Sequence, residues 1–127
     1  MYETDVFDFA IKRLEELSGK KHGEEEESTA AMRIIADHTR TATFLIGDVK
    51  PISPSNVDQG YVLRRLIRRA MRYCRVLGVD FSALTELAGL FVDKYGEVYP
   101  NIAAARGRIA EELETEKNKF AKTIEQG

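Results

Sequence analysis

The chain has 127 residues, 43% of them hydrophobic, with a formal net charge of −2, which suits one shared core and makes a single domain over residues 1–127 the expectation. No stretch is long and apolar enough to span a bilayer, and the acidic start Met1-Tyr2-Glu3-Thr4-Asp5 is not that of a secretory signal. One cysteine, Cys74, and two histidines, His22 and His38, cannot form an internal disulfide or complete a four-ligand structural zinc site, so a soluble protein of the reducing cytoplasm, not bound to a membrane, is expected.

Thr4 or Asp5 can cap a first helix carrying Phe7, Ile11, Leu14 and Leu17 at helical spacing, ending at Gly19. The polar run through His22 and the acids Glu24 to Glu27 reads as a solvated connection, with His22 exposed. A second helix is predicted from about Ser28 to Ile46, its core side formed by Ala31, Ile34, Ile35, His38, Ala42, Leu45 and Ile46. Residues 47–60 contain two prolines, two glycines and several turn formers and are read as a loop, where functional polar groups tend to sit.

A third helix opens near Tyr61 and ends around Leu77, with Gly78 suited to a left-handed cap. A fourth, Ser82 to Tyr95, carries Leu84, Leu87, Ala88, Phe91, Val92 and Tyr95. A fifth runs from about Asn101 towards the end, with Ile102, Ala105, Ile109, Leu113, Phe120 and Ile124 on an otherwise charged helix. The fold class expected is all-α, a compact array of about five helices with no substantial sheet.

The third helix is the distinctive element. Between Gly60 and Gly78 there are six arginines and no acid, so this stretch carries +6 and the rest of the chain −8. At ~100° per residue, Arg64, Arg65, Arg68, Arg69, Arg72 and Arg75 share one arc of roughly 140°, while Leu63, Leu66, Ile67, Ala70, Met71, Tyr73, Cys74 and Leu77 occupy the other side. Helix formation does not require such a concentration of like charge, so something anionic is expected to offset it. Guanidinium groups grip phosphate in a bidentate way and stack on bases, which points to nucleic acid. The alternative is pairing with the protein's own acids, Glu24 to Glu27 or Glu111, Glu112, Glu114 and Glu116.

Several of these strings are familiar together. Ile35-Ala36-Asp37-His38-Thr39-Arg40, Phe44-Leu45-Ile46, Pro54-Ser55-Asn56 and the run from Gly60 to Ala70, continuing in weaker form through Tyr99-Pro100 and the Glu-rich end with Phe120, Thr123 and Gly127, resemble the alanyl-tRNA synthetase family. The resemblance covers essentially the whole chain and is most specific from Asn56 to Ala70. It implies a fragment: the helical tRNA-recognition region, with the family's class II catalytic domain upstream of Tyr2 and its editing domain downstream of Gly127, both partners of this region in the parent chain. It also implies that the parent uses ATP, magnesium and zinc, that this segment holds no cofactor or metal, and that its partner is a tRNA acceptor stem, with no DNA expected. The family reads a G·U pair with an asparagine that matches Asn56 and an aspartate that would lie beyond residue 127. On the same basis Arg64, Arg65, Arg68, Arg69 and Arg72 would hold the phosphate backbone. An amide suits the minor groove of A-form RNA because it offers a donor and an acceptor to base edges. One departure stands out: many members have Gly-Arg where this chain has Asp58-Gln59.

Other candidates have simpler readings. His38, at the centre of an apolar arc, is expected to be a buried histidine bonded to a neighbour, and Cys74 a buried inert thiol. Arg40 projects from the opposite side, where RNA, solvent or an internal acid could meet it. Glu114 with Lys117 and Glu116 with Lys119 read as solvated ion pairs. No phosphate loop, metal-ligand helix motif or nucleophile–base pair is visible, so no catalytic residue is assigned and this segment alone is not expected to be an enzyme. A helical adaptor whose basic helix docks an acidic protein surface is the other function class.

Overall fold

A computed structural model describes the backbone of residues 2–126 and the side chains of residues 8–124. It contains α1 (Tyr2–Ser18), α2 (Glu26–Ile46), α3 (Asp58–Leu77), α4 (Ala83–Tyr95), α5 (Pro100–Ala104) and α6 (Arg106–Gln126), with no strand among the described residues. Thr4, Asp5, Phe7 and Gly127 lie outside the described side chains. The all-α expectation holds, with one more break than the sequence suggested. The fifth helix is two: Pro100 starts α5, the chain turns at Ala105, whose N–H bonds to the carbonyls of Asn101 and Ile102, and α6 then runs on.

The centre is α2, which packs most extensively on α3 and also meets α1, α4 and α6; α6 lies in turn across α3 and α4. Its core face is rotated from the predicted arc. Ala31, Ile35, Ala42 and Ile46 are buried as expected, but Met32, Ala36, Thr39 and Thr43 complete the face, while Ile34, His38 and Leu45 sit at its edge, half-buried. Thr43 can take a core position because its hydroxyl donates to the Thr39 carbonyl at 2.8 Å within the helix, so its polar group is satisfied without a tertiary partner. On α1, Ala10 and Leu14 are buried and Phe9 meets Phe91 edge-on with centroids 5.1 Å apart, whereas Leu17 is exposed.

The C-terminal end of α2 is closed by the second half of the chain. The Arg108 guanidinium donates to the Ile46 carbonyl from Nε (3.2 Å) and Nη2 (2.9 Å), and Asn101 Nδ2 donates to the Gly47 carbonyl at 2.8 Å. Orphan carbonyls at the negative end of a helix are thereby satisfied by a cation and an amide. This junction starts the 47–57 segment from a fixed point. At the other side of that segment α3 opens at Asp58, and it closes at Gly78, whose φ of 80° is the left-handed cap the sequence indicated.

The apolar side of α3 is as predicted: Leu63, Ile67, Ala70, Met71, Cys74 and Leu77 are buried, with Leu66 and Tyr73 partly so. Burial pushes the Cys74 thiol up to about 12, with the Asp80 carboxylate adding to the effect, so it carries no thiolate at neutral pH. His22 differs from expectation. It is half-buried, its Nε2 accepting from Arg33 Nε at 3.3 Å while its backbone N–H donates to Glu15 at 2.8 Å.

Candidate nucleic-acid interface

The outward side of α3 and the end of the preceding loop form an open groove of about 580 Å³ lined by His38, Asn56, Tyr61, Val62, Arg64, Arg65, Leu66, Arg68, Arg69 and Arg72. Thus Asn56 and all five arginines that the sequence singled out come together on one surface. Arg75, the sixth, is exposed further along α3 and is not among the lining residues.

The arginines divide into two sets, which the helical wheel did not separate. Arg64 and Arg68 turn towards α6, where the Glu116 carboxylate is 1% exposed and accepts from Arg68 Nε at 2.5 Å and from Arg64 Nε at 3.1 Å. The reading of Glu116 as a solvated partner of Lys119 is therefore corrected. Glu116 occupies the α6 seam between Leu113 and Phe120, both buried, and is stable there because two guanidiniums surround it. The companion expectation holds, with Lys117 Nζ 2.9 Å from Glu114; that bond, with one from the Thr85 hydroxyl, holds the Glu114 carboxyl below its usual range. Arg65, Arg69 and Arg72 are exposed, and among the described residues no carboxylate pairs with them. Each lies over an aromatic ring: Arg65 over Tyr61 at 5.8 Å, Arg69 over Tyr73 at 5.6 Å and Arg72 over Phe120 at 5.5 Å. A ring face restrains a guanidinium without consuming its N–H donors, which stay available to an anion.

Glu116 also explains how six arginines share one helix. One buried negative charge lies between two of them and offsets part of their repulsion; of the five groove arginines, three have no carboxylate partner among the described residues, and they are spread along about 10 Å of helix.

Asn56 is placed by the same network. Its Oδ1 accepts from Arg64 Nη1 at 2.7 Å. Since arginine can only donate, the amide oxygen must face Arg64, and the Nδ2 donors are left for another partner. The loop behind it is close-fitted: Ser55 N–H donates to the Gly60 carbonyl at 3.1 Å, Ser55 Oγ donates to the Val57 carbonyl at 3.1 Å, and Ser53 Oγ donates to Glu112 on α6 at 2.7 Å.

Asp58 has φ 51°, the left-handed region that favours glycine. This gives the departure from the Gly-Arg pattern a physical reading. Aspartate is among the few other residues that adopt this conformation readily, so the turn into α3 survives the replacement. Asp58→Val is expected to cost about 1–2 kcal/mol of stability, while Asp58→Gly stays within about 0.5 kcal/mol of the parent because relief of the backbone is balanced by loss of an acid from the first helical turn. Urea denaturation midpoints check both; equal losses for Val and Gly would refute the backbone argument.

His38 is corrected as well. It is half-buried rather than buried, its Nδ1 lies 3.2 Å from the Asp37 carboxylate, and its ring forms part of the groove wall contributed by α2. Arg40 is half-buried and is not among the groove residues. Tyr61 was not singled out by sequence; Glu116 was named there among the acids that could pair with the basic helix, and it does so with Arg64 and Arg68. For Glu116 a signal existed: in the series Ile109, Leu113, Phe120, the seven-residue gap holds one further seam position, and Glu116 fills it.

The helical body carries a basic groove beside a close-fitted loop, and the whole span 1–127 matches the family of class II tRNA synthetases (A), to which the chain belongs. Its relatives sharpen this. The chain is 44% identical over its full length to the alanine–tRNA ligase of Borrelia garinii subsp. bavariensis and 42% identical over its full length to that of Treponema pallidum, covering 21% of each. It is 46% identical over 126 residues (99% of the chain) to the alanine–tRNA ligase of Thermotoga maritima, covering 14% of that protein. The chain thus spans between a seventh and a fifth of the length of these curated relatives.

Proposed function

We propose that this chain is the tRNA acceptor-stem recognition module of an alanine–tRNA ligase, a protein that as a whole attaches alanine to its tRNA with ATP through an alanyl-adenylate. In this reading Arg65, Arg69 and Arg72 hold the phosphate backbone, and Asn56 contacts the base edges of a G·U pair in the minor groove. The observation that carries it is the Asn56 side chain held at the mouth of the groove, oxygen to Arg64 and, among the described residues, donors uncommitted, beside three exposed guanidiniums that no described carboxylate pairs with. Phosphate contacts set affinity and register, while the amide sets preference among base pairs. Arg64 and Arg68, which the resemblance grouped with the backbone contacts, act chiefly inside the protein, through Glu116.

The family affiliation and the identities to alanine–tRNA ligases support tRNA as the partner. Among the described residues no helix is long and apolar enough to cross a membrane.

Fluorescence anisotropy with labelled acceptor-stem hairpins, one with G·U and one with G·C at the same position, tests the assignment at low salt. The chain is expected to bind both, with a preference for G·U of about fivefold to tenfold, the lower end of what one base contact supplies. Asn56→Ala should abolish the preference and leave binding to the G·C stem unchanged. A preference that survives Asn56→Ala removes the reading role, and no binding to either stem removes the module assignment.

A further inference from the structure

We infer that Glu116 is a positioning residue for Asn56, and that α6 therefore sets the orientation of the amide at the mouth of the groove although it contributes no donor to the groove itself. The geometry forms a continuous path. Glu116, fully buried, fixes the Nε edge of Arg64 (3.1 Å) and of Arg68 (2.5 Å); the Nη1 of the same Arg64 guanidinium donates to Asn56 Oδ1 at 2.7 Å. Because a guanidinium is planar and rigid, holding one edge determines where the other points. Phe120 completes the seat, with the guanidiniums of Arg68 and Arg72 over its ring at 5.4 and 5.5 Å.

A second contact from the same helix reaches the same loop. Glu112 lies one turn before Glu116 and accepts from Ser53 Oγ at 2.7 Å. Two carboxylates at i and i+4 thus face the same way, one restraining the loop backbone region and the other, through Arg64, the asparagine side chain. An exposed amide held by only one bond to a long, flexible arginine would be mobile. An amide held by an arginine whose far edge is locked in a buried ion pair is not, and an aligned donor loses less entropy on binding.

The consequence for ligand choice rests on the proposed G·U reading; the consequence for Asn56 order does not. In the 127-residue chain, side-chain 15N relaxation of the Asn56 amide should show a heteronuclear NOE close to that of the helical backbone. In Glu116→Gln, and in Glu116→Asp, which keeps the charge but withdraws the carboxylate by one methylene, that NOE should drop to half or less. The G·U to G·C affinity ratio should fall at least threefold in both variants without loss of affinity for the G·C stem. Circular dichroism verifies that each variant is folded. A measurement on the parent protein guards against variants that do not fold: the Nε–H protons of Arg64 and Arg68 should exchange with water at least tenfold more slowly than those of Arg65 and Arg69. Equal exchange rates, or an Asn56 amide as ordered in folded Glu116 variants as in the parent, would overturn the inference. Should Asn56→Ala leave the affinity ratio unchanged, the G·U reading fails while the relaxation measurement still decides what Glu116 does.

Discussion

Replacing Arg65, Arg69 and Arg72 together with glutamine is expected to weaken binding of every duplex RNA stem about 100-fold at ~0.1 M salt and to flatten the dependence of log K on log salt by about 2. Among the described residues these are the groove arginines without an internal carboxylate, and each neutralised phosphate releases condensed counterion, so deleting three contacts shows in the slope as well as in the affinity. Glutamine removes the charge and shortens the reach while keeping a polar, hydrogen-bonding side chain. The G·U preference should persist in this variant, because Asn56 and its Arg64–Glu116 support remain. Arg64→Gln and Arg68→Gln should behave differently, with a loss of stability and little change in slope, since these guanidiniums serve a buried acid. Isothermal or anisotropy titrations from ~50 to ~200 mM salt give all of these numbers. An unchanged slope in the triple variant would mean that these arginines do not meet phosphate. RNA binding absent from the parent, together with loss of an acidic protein partner in the triple variant, would favour the adaptor class instead.

Gly60→Ala is expected to lower stability by about 2 kcal/mol and the melting temperature by roughly 6–10 °C, and to erase the G·U preference. A Cβ at this position would lie 2.1 Å from Ser55 Oγ, 2.6 Å from the Ser53 carbonyl oxygen and 3.0 Å from Ser55 Cβ. The hydroxyl can rotate away, but the carbonyl is backbone and cannot. The loop is also tied to this residue by the Ser55 N–H bond to the Gly60 carbonyl. Alanine is the better helix former by about 1 kcal/mol, yet that gain is outweighed by overpacking, typically ~1–3 kcal/mol, plus the hydrogen bond lost when the loop retreats, about 1 kcal/mol. Asn56 moves with the loop, which is why selectivity should go too. Differential scanning calorimetry and the paired hairpin titration check the two halves of the prediction. A parent-like melting temperature with the preference intact would show that residues 53–56 do not need the close approach.

The positions of the helices and the identity of the basic face were legible in the amino-acid order because both follow from local periodicity. An α-helix repeats every ~3.6 residues whatever it packs against, so the apolar stripe Leu63, Ile67, Ala70, Met71, Cys74, Leu77 and the cap at Gly78 could be placed without coordinates, as could the arginine arc; the loop read as residues 47–60 ends sooner, because α3 takes up its last three residues from Asp58. Asn56 was legible by resemblance, together with the arginines around it. What local pattern could not contain was which arginines were already occupied. That depends on α6 crossing α3 about fifty residues away in the chain, a tertiary event that buries Glu116 and turns Arg64 and Arg68 inward while Arg65, Arg69 and Arg72 stay outside. Packing likewise rotated the α2 face onto Thr39 and Thr43, left His38 on the groove wall, and placed the α5–α6 break at Ala105. Periodicity reports which residues share a side of one helix; only the meeting of two helices decides which charges find each other, because an exposed ion pair contributes little, whereas a buried acid such as Glu116 is costly unless cations meet it there.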